Sequence, residues 1–208
     1  LAPLMSRVGE TPFVLNSEVH ALSARWLMNH VEAEHDDTLV VILEDGAVGA
    51  SLLVEGRPNR GCVLGGNELG HMRLGVKTDR CYCGGVGCVE RIFSTDFLRR
   101  AGGNATLADA LSGSPLKKAV REIVELTALA LANVTVFTRP QRIVIAGTLT
   151  KHLGFRRALE SCWRNLLPQI YHERVGLEWC SMKATVSAET AGWLAIARVL
   201  RGDAEKMC

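Results

Sequence analysis

This chain has little charge of either sign in excess, no long hydrophobic run and no internal repeat, and each lack removes a class of function. Net charge is +2 over 208 residues, too little by itself to make a nucleic-acid surface. No apolar stretch approaches the roughly 20 residues needed to cross a bilayer, so no membrane partner is expected. The opening residues lack the charged-then-apolar order of a secretory signal. No low-complexity linker divides the chain. What is there is an ordinary globular composition, 48% apolar and 22% charged, with mean hydropathy +0.13. Such a length buries a real core, in one large domain or two small ones. The chain opens on Leu1, inside an apolar and turn-rich phrase, and is expected to be part of something longer.

An even set of cysteines is also lacking. The seven are Cys62, Cys81, Cys83, Cys88, Cys162, Cys180 and Cys208. An odd, clustered set argues against a disulfide framework and for thiols kept reduced in the cytoplasm. His71 followed by Cys81-x-Cys83-Gly84-x-x-Gly87-Cys88-x-Glu90 is the most informative stretch. One imidazole and three thiols are the full complement of a closed, tetrahedral zinc site. The alternative, a Cys81–Cys83 disulfide, would close a very small and strained ring. Structural zinc held by His71, Cys81, Cys83 and Cys88 is therefore expected. Glu90 lies just past the last thiol and Glu68 just before the imidazole, so the metal would clamp two acidic side chains near each other. Cys62, Cys162, Cys180 and Cys208 read as small hydrophobes. His20, His30, His35, His152 and His172 read as surface or helix-face residues, and Trp26, Trp163, Trp179 and Trp193 as core or interface.

Periodicity supplies the elements. Residues 12–15 read as a strand, and 17–34 as a helix capped by Asn16 or Ser17, with Val19, Leu22, Trp26 and Val31 at helical spacing. Thr38 to Leu43 is a buried strand, 45–49 a turn and Ala50 to Val54 a second strand. Helices are expected over about 89–101 and 106–112. A central one starts at Ser114-Pro115. Arg142 to Ala146 is a buried strand, 150–167 a helix, Val175 to Trp179 and residues 184–186 short strands, and Ser187 caps a last helix. Strands mixed with long helices predict an α/β fold.

Asn67-Glu68-Leu69-Gly70-His71, followed by the cysteine motif, closely resembles the ROK family of repressors, sugar kinases and uncharacterised relatives. The likeness runs over most of the chain. Asn16-Ser17 stands where the family carries Asn-Asp ahead of a helix. Residues 45–51, Asp-Gly-Ala-Val-Gly-Ala-Ser, stand where it carries a glycine-rich phosphate loop. Arg142 to Gly147 is similar to its strand ending in Gly-Gly near the adenosine. The resemblance implies the actin-like ATPase, ribonuclease H-like fold, with sugar bound between two lobes. It implies the end of the small lobe in residues 1–16, the large lobe with the zinc motif in 17–187, and a helix returning to the small lobe in 188–208. The small lobe would be incomplete here, and DNA would be met through a segment absent from this chain. Homo-oligomers are the family's habit.

Matching positions nominate Asn16, Glu68, His71 and Glu90 for sugar. Carboxylates accept charge-assisted hydrogen bonds from vicinal hydroxyls, and His71 can give one nitrogen to zinc and the other to sugar or a carboxylate. The bland alternative makes Glu68 and Glu90 solvated helix caps. Phosphoryl transfer fits less well. It needs a base for the sugar hydroxyl, normally a carboxylate, and Ser17 stands at the family's Asp. Asp45 would set an anion beside the phosphates and Ala47 adds a Cβ where close backbone approach is wanted, although Asp45-Gly46 also reads as a plain turn. Val63 and Asn67 replace an Asn and a Gly of the sugar loop. The resulting expectation is a sugar-sensing, oligomer-forming part of a ROK-type transcriptional regulator with no catalytic residue. A ROK sugar kinase is the alternative, and a scaffold with a vestigial pocket the third reading.

Overall fold

The computed structural model describes residues 17–59, 67–113 and 118–180, with helical pairs at 191–192 and 195–196. Helix α1 (Glu18–Met28) begins at Ser17, whose side chain accepts from the His20 amide, and ends at Asn29. It is shorter than the expected 17–34. His30 stacks on Trp26 at 4.6 Å and its Nδ1 donates to the Trp26 carbonyl at 2.8 Å, so the end of the helix is sealed there. One 3-10 turn, Val31–Ala33, follows.

β1 (Thr38–Glu44) and β2 (Ala47–Val54) form an antiparallel hairpin in which Thr38 faces Leu53 and Glu44 faces Ala47. The turn is therefore only Asp45-Gly46, and residues 47–49, expected as turn, are strand. β3 (Arg57–Pro58) pairs with β2. Helices α2 (Val89–Ile92), α3 (Thr95–Arg100), α4 (Leu107–Ser112) and α5 (Lys118–Thr138) lead to β4 (Arg142–Ala146), α6 (Leu153–Leu166) and β5 (Gly176–Trp179). The sheet order is β3-β2-β1-β4-β5, with β1, β4 and β5 parallel.

Side chains alternate across a strand, and both central strands use both faces. Leu39, Val41, Leu43, Ile143 and Ile145 join Ile123, Val124, Phe155, Leu159 and Trp163 in the larger core. Val40, Ile42, Val144 and Ala146 meet Val19, Leu22, Trp26 and Leu27 of α1. Burial on both faces explains why these strands read as unbroken apolar runs. The result is a three-layer α/β arrangement. Trp26 and Trp163 are fully buried, and the Trp163 indole donates to Thr135 Oγ1 at 3.2 Å, tying α6 to α5. His20, expected on a surface or helix face, is buried at 2% exposure. Cys162 and Cys180 pack against the cores as small hydrophobes. Cys62, Val63, Trp193, Cys208, the strands expected at 12–15 and 184–186, the helix start at 114–115 and the last helix's cap lie outside the described residues. Among the described residues no helix is long and apolar enough to cross a membrane.

Candidate metal centre and cleft

Two short segments lie antiparallel and carry the cluster. The Leu74 amide donates to the Gly87 carbonyl at 3.0 Å and the Val89 amide to the Met72 carbonyl at 3.1 Å, with Arg73 opposite Cys88. That pairing sets His71, in the 3-10 turn Leu69–His71, beside Cys88 and Glu90. Between the segments the chain doubles back on itself, the Cys81 amide donating to the Gly85 carbonyl at 2.8 Å. Gly87 is required on two counts: its φ is +83°, and a Cβ there would lie 2.8 Å from the Val76 carbonyl oxygen.

His71, Cys81, Cys83 and Cys88 offer one ligand atom each, all within 4.8 Å of one another. The Cys83 and Cys88 sulfurs are 3.6 Å apart, and the Cys81 sulfur is 3.6 Å from His71 Nδ1. Metal–sulfur bonds of about 2.3 Å give tetrahedral edges of about 3.8 Å. Donor types and spacing both fit a divalent ion. The described cysteines are all free, so the strained disulfide alternative falls. Burial, with Glu90 as hydrogen-bond acceptor, pushes the Cys81 thiol up to about 12. Burial and its neighbour Cys83 also push Cys88 up. Exposed Cys83 is pulled down by the Gly85 amide and the Cys81 side chain. Without metal, the two buried sulfurs hold their protons and Cys83 gives its proton up more readily.

The acidic groups flank this cluster. Glu90 is buried at 5% exposure. Its Oε1 accepts from the Cys81 thiol at 2.9 Å and lies 3.6 Å from His71 Nδ1. Glu68 is more exposed, with Oε2 3.8 Å from His71 Nε2. A cleft of about 510 Å³ opens beside them, lined in part by Ser17, Glu18, Glu44, Asn67, Glu68, Tyr82, Glu90 and Thr148. It sits at the carboxyl ends of the parallel strands β1 and β4, the usual ligand position in such sheets. The fold thus brings Ser17, Glu68 and Glu90 to one cleft and sets His71 behind them with the thiols. Asn16 lies outside the described residues.

Sequence reasoning passed over several cleft residues. Tyr82 could have been found, because it stands between two candidate ligand cysteines. Glu44 takes the Thr148 amide at 2.6 Å and the Thr148 hydroxyl, a pairing across half the chain that no local pattern announces. Asn67, taken as a loss in the sugar loop, has φ +72°. That is the left-handed region, which asparagine tolerates better than most residues. Its side-chain oxygen accepts from the Leu52 amide at 3.0 Å.

Asp45-Gly46 is the hairpin turn, the second of its two readings, and Asp45 has a further role. Its carboxylate accepts from the Thr95 amide at 2.7 Å and the Thr95 hydroxyl at 2.5 Å, and the Gly46 amide donates to the Phe93 carbonyl at 2.9 Å. The hairpin tip is therefore fastened to the start of α3. This contact, with Ser94 capping at the Phe97 amide, is why the helix expected over 89–101 breaks into α2 and α3. Asp45→Ala removes the acceptor for two partly buried donors. It is expected to cost about 1–3 kcal/mol, read as a lower urea midpoint at unchanged m-value; an unchanged midpoint would show the contact to be idle.

The ROK family model matches residues 1–198 of this sequence. The chain belongs to the ROK family. N-acetyl-D-glucosamine kinase of Citrobacter koseri is 28% identical over 175 residues, covering 71% of this chain and 55% of that protein. The chain thus spans about half the length of that relative. A ROK family transcriptional regulator, a homologue of the E. coli Mlc protein, superposes with TM-score 0.72 at 21% identity, over 98% of this chain and 57% of its own. ROK hexokinase from Thermus thermophilus gives TM-score 0.75 at 20% identity, over 96% and 71%. The fold is that of these ROK proteins, the actin-like ATPase fold, as the sequence resemblance implied.

Proposed function

We propose that this ROK chain is the sugar-sensing, oligomer-forming part of a transcriptional regulator and does not phosphorylate its ligand. The observation that carries this reading is the charge of the cleft. Among the described residues its lining includes Glu18, Glu44, Glu68 and Glu90 and no Lys, Arg or His. Such a wall accepts hydrogen bonds from a neutral polyol and repels a nucleoside triphosphate. Two further features agree. Ser17 is a poor base, and its oxygen caps α1. The Gly46 amide, which a phosphate loop would present to its anion, is given to Phe93.

In this reading zinc is structural, because His71 and the three thiols fill a tetrahedron and leave no place for a reactive water. Asn16, Glu68, His71 and Glu90 contact the sugar. Residues 17–187 form the large lobe, 1–16 the end of the small lobe and 188–208 a helix returning to it. Sugar favours one arrangement of the lobes, and the bias reaches DNA through a segment not in this chain. The protein works in the cytoplasm as a homo-oligomer.

Titration calorimetry of the full-length, zinc-loaded protein against D-glucose, N-acetyl-D-glucosamine and other hexoses tests the reading. Saturable binding of at least one sugar is expected; silence across the panel removes the sensor. A kinase is the second reading, favoured by the likeness to two ROK sugar kinases. A coupled ATP assay on the same protein is expected to stay at the blank. Turnover, above all turnover that survives Ser17→Ala, would decide for the kinase and show that a different group is the base.

A further inference from the structure

We infer that Tyr82 is a gate on the sugar cleft, whose hydroxyl occupies His71 until a sugar hydroxyl replaces it. The inference rests on the proposed sugar-sensing role of this cleft and adds to it how entry is controlled. Tyr82 is bracketed by Cys81 and Cys83, so a bound metal would anchor its backbone on both sides. Its side chain nonetheless stands out from the protein, the residue being 85% exposed. Its hydroxyl is 2.8 Å from His71 Nε2, and the two rings meet edge to face at 4.8 Å and 78°.

His71 has two polar atoms with different neighbours. Nδ1 faces the Cys81 sulfur and Glu90, both at 3.6 Å. With Nδ1 committed to the metal, Nε2 carries the proton and donates outward. The cleft is lined by Tyr82, Glu68 and Glu90 together, and Nε2 is the donor beside the first two. The Tyr82 oxygen takes that donor at 2.8 Å, whereas the Glu68 carboxylate stands farther off at 3.8 Å. A ligand hydroxyl that reaches His71 must therefore displace the phenol, one neutral hydroxyl exchanging for another. Hydrogen-bond count is conserved in the exchange, so the gate selects. A sugar lacking a hydroxyl at that position leaves Tyr82 in place.

Apparent affinity is reduced by the fraction of protein whose gate is shut. Tyr82→Phe keeps the ring and removes the competing hydroxyl, and so tests the gate without disturbing the loop. D-glucose and N-acetyl-D-glucosamine are titrated into zinc-loaded, full-length wild type and Tyr82→Phe, with metal content and melting temperature measured on both. The expected result is about three- to tenfold tighter binding in the variant, with metal content unchanged. Equal or weaker binding in the variant, where wild type binds, overturns the gate and leaves the sensor standing. If neither protein binds any hexose, the sensor reading fails and the gate fails with it.

Discussion

Removing the metal is expected to lower the melting temperature of this ROK chain by roughly 6–12 °C, the equivalent of about 3 kcal/mol for a domain of this size. The size follows from what the cluster holds. Neither the Cys81–Gly85 reversal nor the four-residue helix α2 has a core of its own, and the Leu69–His71 turn is equally short. His71, Cys81, Cys83 and Cys88 come from three separate stretches and are brought within 4.8 Å of one another. Without an ion, the Cys81 proton sits on a hydrogen bond to Glu90, and Cys83 stands exposed beside Cys88. Cys83→Ser should reproduce much of the loss and release Glu90 from the cleft. Calorimetry with and without a zinc chelator, followed by re-addition of Zn²⁺, reads the effect. A melting curve indifferent to the chelator would remove the metal from the account.

Uptake should also depend on pH in a stated direction. Cys81 is pushed up to about 12 and Cys88 is pushed up as well, so around neutral pH both hold protons that the metal must displace. At least two protons released per ion mean affinity rising at least about 100-fold per pH unit. Competition against a chromophoric chelator at two pH values measures the slope, and a flat profile would mean that the thiols are not ligands.

Gly70→Ala is the second large effect. Gly70 packs so closely on β2 that an added Cβ would lie 2.0 Å from the Val48 carbonyl oxygen and 3.4 Å from Glu90 Oε2. Both obstacles matter, since the first is backbone of β2, held along its length by pairing with β1, and cannot yield cheaply. The Leu69–His71 turn must lift away, and it carries His71 out of the cluster and Glu68 from the cleft edge. We expect a loss of roughly 3–5 kcal/mol, lower zinc content, or no folded protein in the cell. Substitution of the neighbouring exposed Glu68 by Gln serves as the comparison, with stability nearly unchanged and sugar affinity reduced. A Gly70→Ala protein with normal melting and full zinc would show that β2 and the turn separate more easily than their contact implies.

Much of this protein was legible from local pattern. The apolar runs at 38–43 and 142–146 are the two central strands, because burial on both faces erases polar alternation. The histidine and three cysteines were recognisable as a cluster because their donor chemistry admits few other uses. Other features depended on partners far along the chain. The split between α2 and α3 depends on Asp45, whose carboxylate meets Thr95 from a hairpin tip. The shape of the cleft depends on Glu44 reaching Thr148. Asn67 looked like a lost glycine, yet it sits at φ +72° and its side chain accepts from the Leu52 amide.

The sequence by itself determined the family, the layered α/β class and the set of atoms able to grip an ion, since these follow from residue type and short-range spacing. Only the tertiary structure decided that, among the described residues, four carboxylates and no cation line one cleft, that the hairpin tip is fastened to α3, and that Tyr82 covers His71. Those are matters of direction and distance between segments remote in the chain. The packing of β1 and β4 between two helical layers sets them, and no local pattern encodes them.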